Sequence, residues 1–277
     1  SLFDAMMYSD YVSSRLQLQS AKGMHKLKEM LAKMGFPLEQ CMQPYVYMKP
    51  KLRRALRSKM EEFGEEYGLD DFEFTSFFKI TGYQSLLSAA DTSHAATSLL
   101  ESVDPIAGND DEALMKSFNI AFDALEADAP TQGFQSAAGG DGVVNGGALS
   151  GNIGLGAGIR HAMSLQRKIV NTAANLIESN SITRLSHFRY AYLMATKSQS
   201  AQGSRHSSST GTNQDNAEDM NTWARPLALC RLAHYLMNLN RENGKWTGPK
   251  ARPLVLLAEK PNTGMFLVAG YEFPEQQ

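Results

Sequence analysis

WARPLALCRLAHYLMNLNRENG (223–244), then RPLVLLAEK (252–260) and GMFLVAGYEF (264–273), is the stretch whose reading decides the fold. The first segment reads as a helix that ends near Gly244. The other two read as strands joined by the turn-like tetrapeptide PNTG (261–264). Immediately upstream, SITRLSHFRYAYLMA (181–195) reads as strands from its alternation and aromatic content. Before that, Ile159, Met163, Ile169, Val170, Ala173, Leu176 and Ile177 share one face of a helix. The second half of the chain therefore reads as a small mixed-sheet α/β unit.

The first half reads differently. Leu2, Met6, Met7, Tyr11, Val12, Leu16 and Leu18 recur at helical spacing. Ser20 is placed to cap a helix whose stripe is Met24, Leu27, Met30, Leu31 and Met34, with Gly35 as its stop and Pro37 beyond it. A further helix starts at Pro50, a natural first-turn residue, and carries Leu52, Leu56, Met60, Phe63 and Tyr67 on one face. Phe72, Phe74 and Ser76 alternate as in a short strand, and TSHAATSLLES and DDEALMKSFNIAFDALE give two more helices. The fold class is α/β overall, with a mainly α first half.

Two tracts break this order. Residues 127–157 are rich in Gly, Ala, Ser and Asn, the composition of a linker or insertion. KSQSAQGSRHSSSTGTNQDNAED (197–219) reads as a disordered insertion, about 198–220. The expected division is a helical region over 1–126, the linker over 127–157 and an α/β domain over 158–277.

With 277 residues and 43% hydrophobic content the chain is long and apolar enough for a real core. A net charge of −2 excludes a globally basic nucleic-acid binder. No run of apolar residues is long enough to span a bilayer. Cys41 and Cys230 lack paired spacing and read as two inert core thiols of a reducing compartment. The chain opens on Ser1, without a basic leader, and closes soon after a strand-like run, so both ends read as cut.

The search for chemistry finds none. The glycines of 139–158 lead into a helix, but no Lys-Ser or Lys-Thr follows them, and Gly154, Gly156 and Gly158 alternate without a preceding strand. Neither a phosphate loop nor a dinucleotide fingerprint is present. No two of the six histidines stand three or four residues apart, and no C-x-x-C occurs. Asp110 and Asp111 read as carboxylates at a helix start. No catalytic residue, metal or cofactor is expected.

One cluster stands out. Lys49, Lys51, Arg53, Arg54, Arg57 and Lys59 fall within eleven residues, followed by Glu61, Glu62, Glu65 and Glu66. The simpler reading is a solvated helix face stitched by pairs one turn apart. The other is a surface that touches phosphate or an acidic partner.

The long runs SLFDAMMYSDYVSSRLQLQSAKGMHKLKEMLAKMGFPLEQ and KLRRALRSKMEEFGEEYGLDDFEFTSFFKITGYQSLLSAADTSHAATSLLES resemble the cell division control protein 45 family, eukaryotic replication-initiation factors related to RecJ exonucleases. The features that carry the resemblance are the S-L-x-D-x-M start, the M-G-F-P-L turn, the step from Phe77 to Tyr83 and the helix ending at Ser102. The 159–179 helix, the strands around 189–193, WARPLALCRLAHYL and RPLVLLAEK extend it. The resemblance implies a helical interdomain region over 1–126 and most of a DHH-associated α/β domain over 158–277, without the metal-binding DHH domain. It further implies a nuclear, non-catalytic scaffold that joins the MCM ring and the GINS complex into the replicative helicase, recruited by an origin loading factor. A RecJ-like single-strand nuclease relative and a guide for single-stranded DNA are the alternatives. Partner or DNA contact would fall on aromatic and arginine anchors: Tyr83, Trp223, Arg225 and the 49–59 cluster, with Trp223 reading equally as a core anchor of the helix that follows.

Overall fold

The computed structural model describes residues 1–70, 75–81, 85–103, 110–126, 154–193, 221–248, 251–260 and 264–272. Both low-complexity tracts lie almost wholly outside these, as do Phe72 and Phe74 of the alternation over 72–76.

The first block is helical because its caps and apolar stripes agree. Ser1 forms a capping box with Asp4 at the head of α1 (Leu2–Met7). Ser9 caps α2 (Asp10–Leu16), and Ser20 caps α3 (Ala21–Lys33) by accepting the Gly23 amide at 3.0 Å. The stripe expected on α3 is the one buried: Leu27, Met30 and Leu31 have almost no solvent contact. Gly35 then takes a left-handed φ of 76°, and the Phe36 amide donates to the Leu31 carbonyl at 2.9 Å, so the M-G-F-P turn ends the helix as its residues demand. Helix α4 (Leu38–Met42) and α5 (Pro50–Gly64) complete the block, whose core also takes in Phe36, Met48 and Leu69.

A hairpin follows, β1 (Phe78–Thr81) antiparallel to β2 (Ser85–Ser88). Thr75 and Ser76, at the end of that alternation, stand outside the strand, which opens at Phe78. Ser88 and Asp91 form a capping box at the start of α6 (Ala89–Leu99). Helix α7 (Asp110–Glu126) packs beside α6, with Asp110 and Asp111 in its first turn.

Helix α8 (Leu155–Glu178) opens at Leu155, four residues ahead of Ile159, the first residue of the expected stripe. Its early glycine is a contact rather than a linker residue. A Cβ on Gly158 would lie 2.6 Å from the Ala95 carbonyl oxygen, so only glycine lets α8 close against α6. Beyond α8 come β3 (Thr183–Arg184), β4 (Arg189–Leu193), α9 (Pro226–Glu242), β5 (Leu254–Glu259) and β6 (Phe266–Tyr271). The sheet order is β3-β4-β5-β6, with β4 and β5 parallel and the other pairs antiparallel. The parallel pair is joined by a crossover that includes α9. Ile169, Val170 and Ala173 of α8, Leu229, Leu232 and Leu236 of α9, and Ala191, Leu254 and Leu256 of the sheet form one core.

The two halves are bound together by polar contacts as well as packing. The Tyr235 hydroxyl on α9 is 2.7 Å from the Ser13 hydroxyl on α2 and accepts from the Gln19 amide at 2.6 Å. The Glu101 carboxylate after α6 accepts the Leu227 and Ala228 amides at 2.6 and 3.1 Å, capping α9 from the other half of the chain. Arg15 and Glu242 pair at 3.3 Å.

Candidate partner interface

The structure puts Lys51, Arg53, Arg54, Arg57 and Lys59 on α5 with Lys49 as its N-cap, and places Trp223 and Arg225 elsewhere. Lys49, Lys51, Arg54 and Arg57 are exposed along α5, with Arg53 and Lys59 half-buried. This follows from the apolar spacing of Leu52, Leu56, Met60 and Phe63, which lean on the core of the first block and turn the cations outward.

The six are not equivalent. Arg57 donates to Glu61 at 3.3 Å and Lys59 to Glu62 at 2.5 Å, so the second half of the cluster is the paired helix face. Glu66 is taken by Lys33 of α3, where the carboxylate pushes the lysine pKa up. The first half keeps its charge. Lys51 and Arg54 form no ion pair among the described residues, and Arg53 lies over the Tyr45 ring at 5.9 Å. The first turn of α5 holds no acidic residue, and Lys49 offers no side-chain cap. Cations and the positive end of the helix dipole therefore act in the same sense.

Apolar side chains border this positive end, and the sequence reading passed over them. Tyr45–Tyr47 is a turn of 3₁₀-helix between Pro44 and Pro50. Met48 is buried and anchors the turn, while Val46 and Tyr47 are 73% and 70% exposed and Met42 stands beside them at 54%. The signal available was PYVYMKP itself, an apolar run pinned by a proline at each end. Exposed tyrosines beside unpaired cations form the composition of a binding surface.

The remaining candidates fall elsewhere. Tyr83 lies outside the described residues. Trp223 is a core residue, 3% exposed in the cluster of the α/β half, and offers no surface there. Its indole fills space beneath α9, as a large aromatic beside a helix start does when apolar positions surround it. Arg225 is the N-cap of α9 and donates to the Glu101 carbonyl, so its guanidinium serves the joint between the halves. Burial pushes the Glu101 carboxyl above its ordinary range, with the Leu227 and Ala228 amides pulling the other way. Cys41 is buried and its thiol pKa is raised by that burial. Cys230 is exposed, a correction to the reading of two core thiols: the inward face of α9 is filled by Leu229, Leu232, Ala233 and Leu236. Among the described residues no group of three or more His, Cys, Asp or Glu could hold a metal ion.

The architecture is that of a small mixed α/β sheet layered with two helices and joined to a helical block. The CDC45 family model matches residues 1–277, and the chain belongs to the CDC45 family. It is 30% identical to the cell division control protein 45 homolog of Schizosaccharomyces pombe over 98% of this chain and 39% of that protein. It is 27% identical to cell division control protein 45 of Saccharomyces cerevisiae over the same shares. The crystal structure of CDC45 from Entamoeba histolytica shares the fold at a TM-score of 0.65 and 20% identity, covering 98% of this chain and 44% of that one. The chain thus spans about two fifths of the length of these curated relatives.

Proposed function

We propose that this chain is the helical and α/β part of a replication-initiation factor that works as a non-catalytic scaffold. Membership of the CDC45 family carries the replication assignment. The unpaired cations and exposed tyrosines at the start of α5 support the view that it acts through surfaces. In this reading residues 1–126 are the helical interdomain region and 158–277 the DHH-associated domain. The MCM ring, the GINS complex and an origin loading factor are its partners, in the nucleus.

The α5 face fits an acidic partner with apolar anchors. Lys51, Arg53 and Arg54 would meet its carboxylates while Tyr45, Val46 and Tyr47 cover its apolar side chains. Co-elution on a sizing column tests this, using the full-length protein that contains this chain with purified GINS and MCM ring. Wild type is expected to co-elute, and the triple variant Lys51→Glu, Arg53→Glu, Arg54→Glu is expected to do so at least about tenfold more weakly. Absence of any complex with wild type would overturn the scaffold reading. Salt-sensitive retention of single-stranded DNA instead, lost in the same variant, would favour the DNA-guide alternative.

A further inference from the structure

Helix α7 is turned inside out. Its buried residues are small: Ala113, Ser117, Ala121 and Ala124, the last two packed with Leu99 of α6. Ile120 leans on the same cluster, but the other large apolar residues face away: Leu114, Met115, Phe118, Phe122 and Leu125 are all between 47% and 62% exposed. Positions 114, 118, 122 and 125 follow one another at helical spacing, so they form a continuous stripe down the helix. The Phe118 and Phe122 rings stack along it, 6.4 Å between centroids.

A stripe of this kind on a helix already seated by its other face has no use in the described core. Its rim states what would fit it. The helix carries Asp110, Asp111, Glu112, Asp123 and Glu126 against a single Lys116. Asp110 is engaged by Lys260. Asp111 stands one turn before Leu114 and Met115, and Glu126 one turn after Phe122, so exposed carboxylates border both ends of the apolar stripe in helical projection.

We infer that the outward face of α7 docks an amphipathic helix of a partner protein, one whose apolar ridge is flanked by lysine or arginine. A straight ridge of side chains one turn apart is the surface that a second helix packs against, and the acidic rim selects a basic flank. The same rim opposes a membrane, since helices that lie on anionic lipid carry cations beside their apolar face. This inference stands apart from the α5 surface and from the replication assignment.

Fluorescence anisotropy tests it, with the full chain and two labelled synthetic helices of equal length, one built of leucine and lysine and one of leucine and glutamate. The leucine-lysine helix is expected to bind and the leucine-glutamate helix is not. Phe118→Glu with Phe122→Glu should weaken binding at least about tenfold. Asp111→Lys with Glu126→Lys should weaken it several-fold and flatten its salt dependence. Equal binding of both helices, or of neither, would overturn the inference. So would binding to anionic vesicles that these variants abolish, which would make the face a lipid surface. Sedimentation supplies the remaining checks: a dimer abolished by Phe118→Glu would make a second copy the occupant. A clear fall in melting temperature in that variant would show that the chain itself covers the face.

Discussion

Helices α7 and α9 are each seventeen residues long, and they use their apolar residues in opposite ways. Helix α9 turns Leu229, Leu232, Tyr235 and Leu236 into the core between α8 and the sheet. Helix α7 turns alanine and serine inward and leaves phenylalanine, leucine and methionine in solvent. Hydrophobic periodicity is present in both, and it says only that a face exists. What decides whether that face is core or surface is the room the neighbour leaves. Small residues let α7 approach α6 closely, and apart from Ile120 the large ones then point out.

The contrast can be broken or sharpened by mutation. Leu232→Ala in α9 should have the largest effect, about 2–5 kcal/mol of stability lost in chemical denaturation, because the site is fully buried and its neighbours cannot collapse. Tyr235→Phe should cost about 1–3 kcal/mol, since Ser13 and Gln19 lose their shared partner inside the joint. The same tyrosine gives a pH test. Burial pushes its hydroxyl pKa up from 10.0 to about 12. Folding favours the neutral form, so the contribution is whole below pH 10. It is lost as pH rises from about 10 to about 12, where the unfolded chain ionises first. Denaturation midpoints followed across that window should fall for wild type and fall less for Tyr235→Phe. Glu101→Ala should cost about 0.5–2 kcal/mol by removing the acceptor of two α9 amides, read as a lower melting temperature. Phe118→Glu in α7 should be the smallest, within about 0.5 kcal/mol of wild type, because the ring it replaces is already in water.

Much of the fold was legible in the sequence. The helix over 226–242, the strands on either side of PNTG, the Ser20 cap and the M-G-F-P stop each depend on residues adjacent in the chain, and each stands where local chemistry puts it. What was not legible depends on neighbours distant in sequence. Gly158 reads as the last glycine of a run leading into a helix, yet its role comes from Ala95, which nothing near it reveals. Trp223 reads equally as surface anchor or core anchor, and Arg225 as a surface anchor, until the core of the α/β half and Glu101 close around them. The α5 cluster was visible as charge, but its division into a paired half and an unpaired half depends on which carboxylates lie within reach. The tyrosines beside it escaped notice because periodicity does not register a 3₁₀ turn held between prolines.

The central claim is that the cations and tyrosines at the start of α5 serve a partner surface more than the fold. The most direct measurement pairs a melting curve with GINS and MCM co-elution for the full-length protein carrying Lys51→Glu, Arg53→Glu and Arg54→Glu. The account predicts an unchanged melting temperature and a lost or much weakened complex. A complex of undiminished strength at the same melting temperature would contradict it.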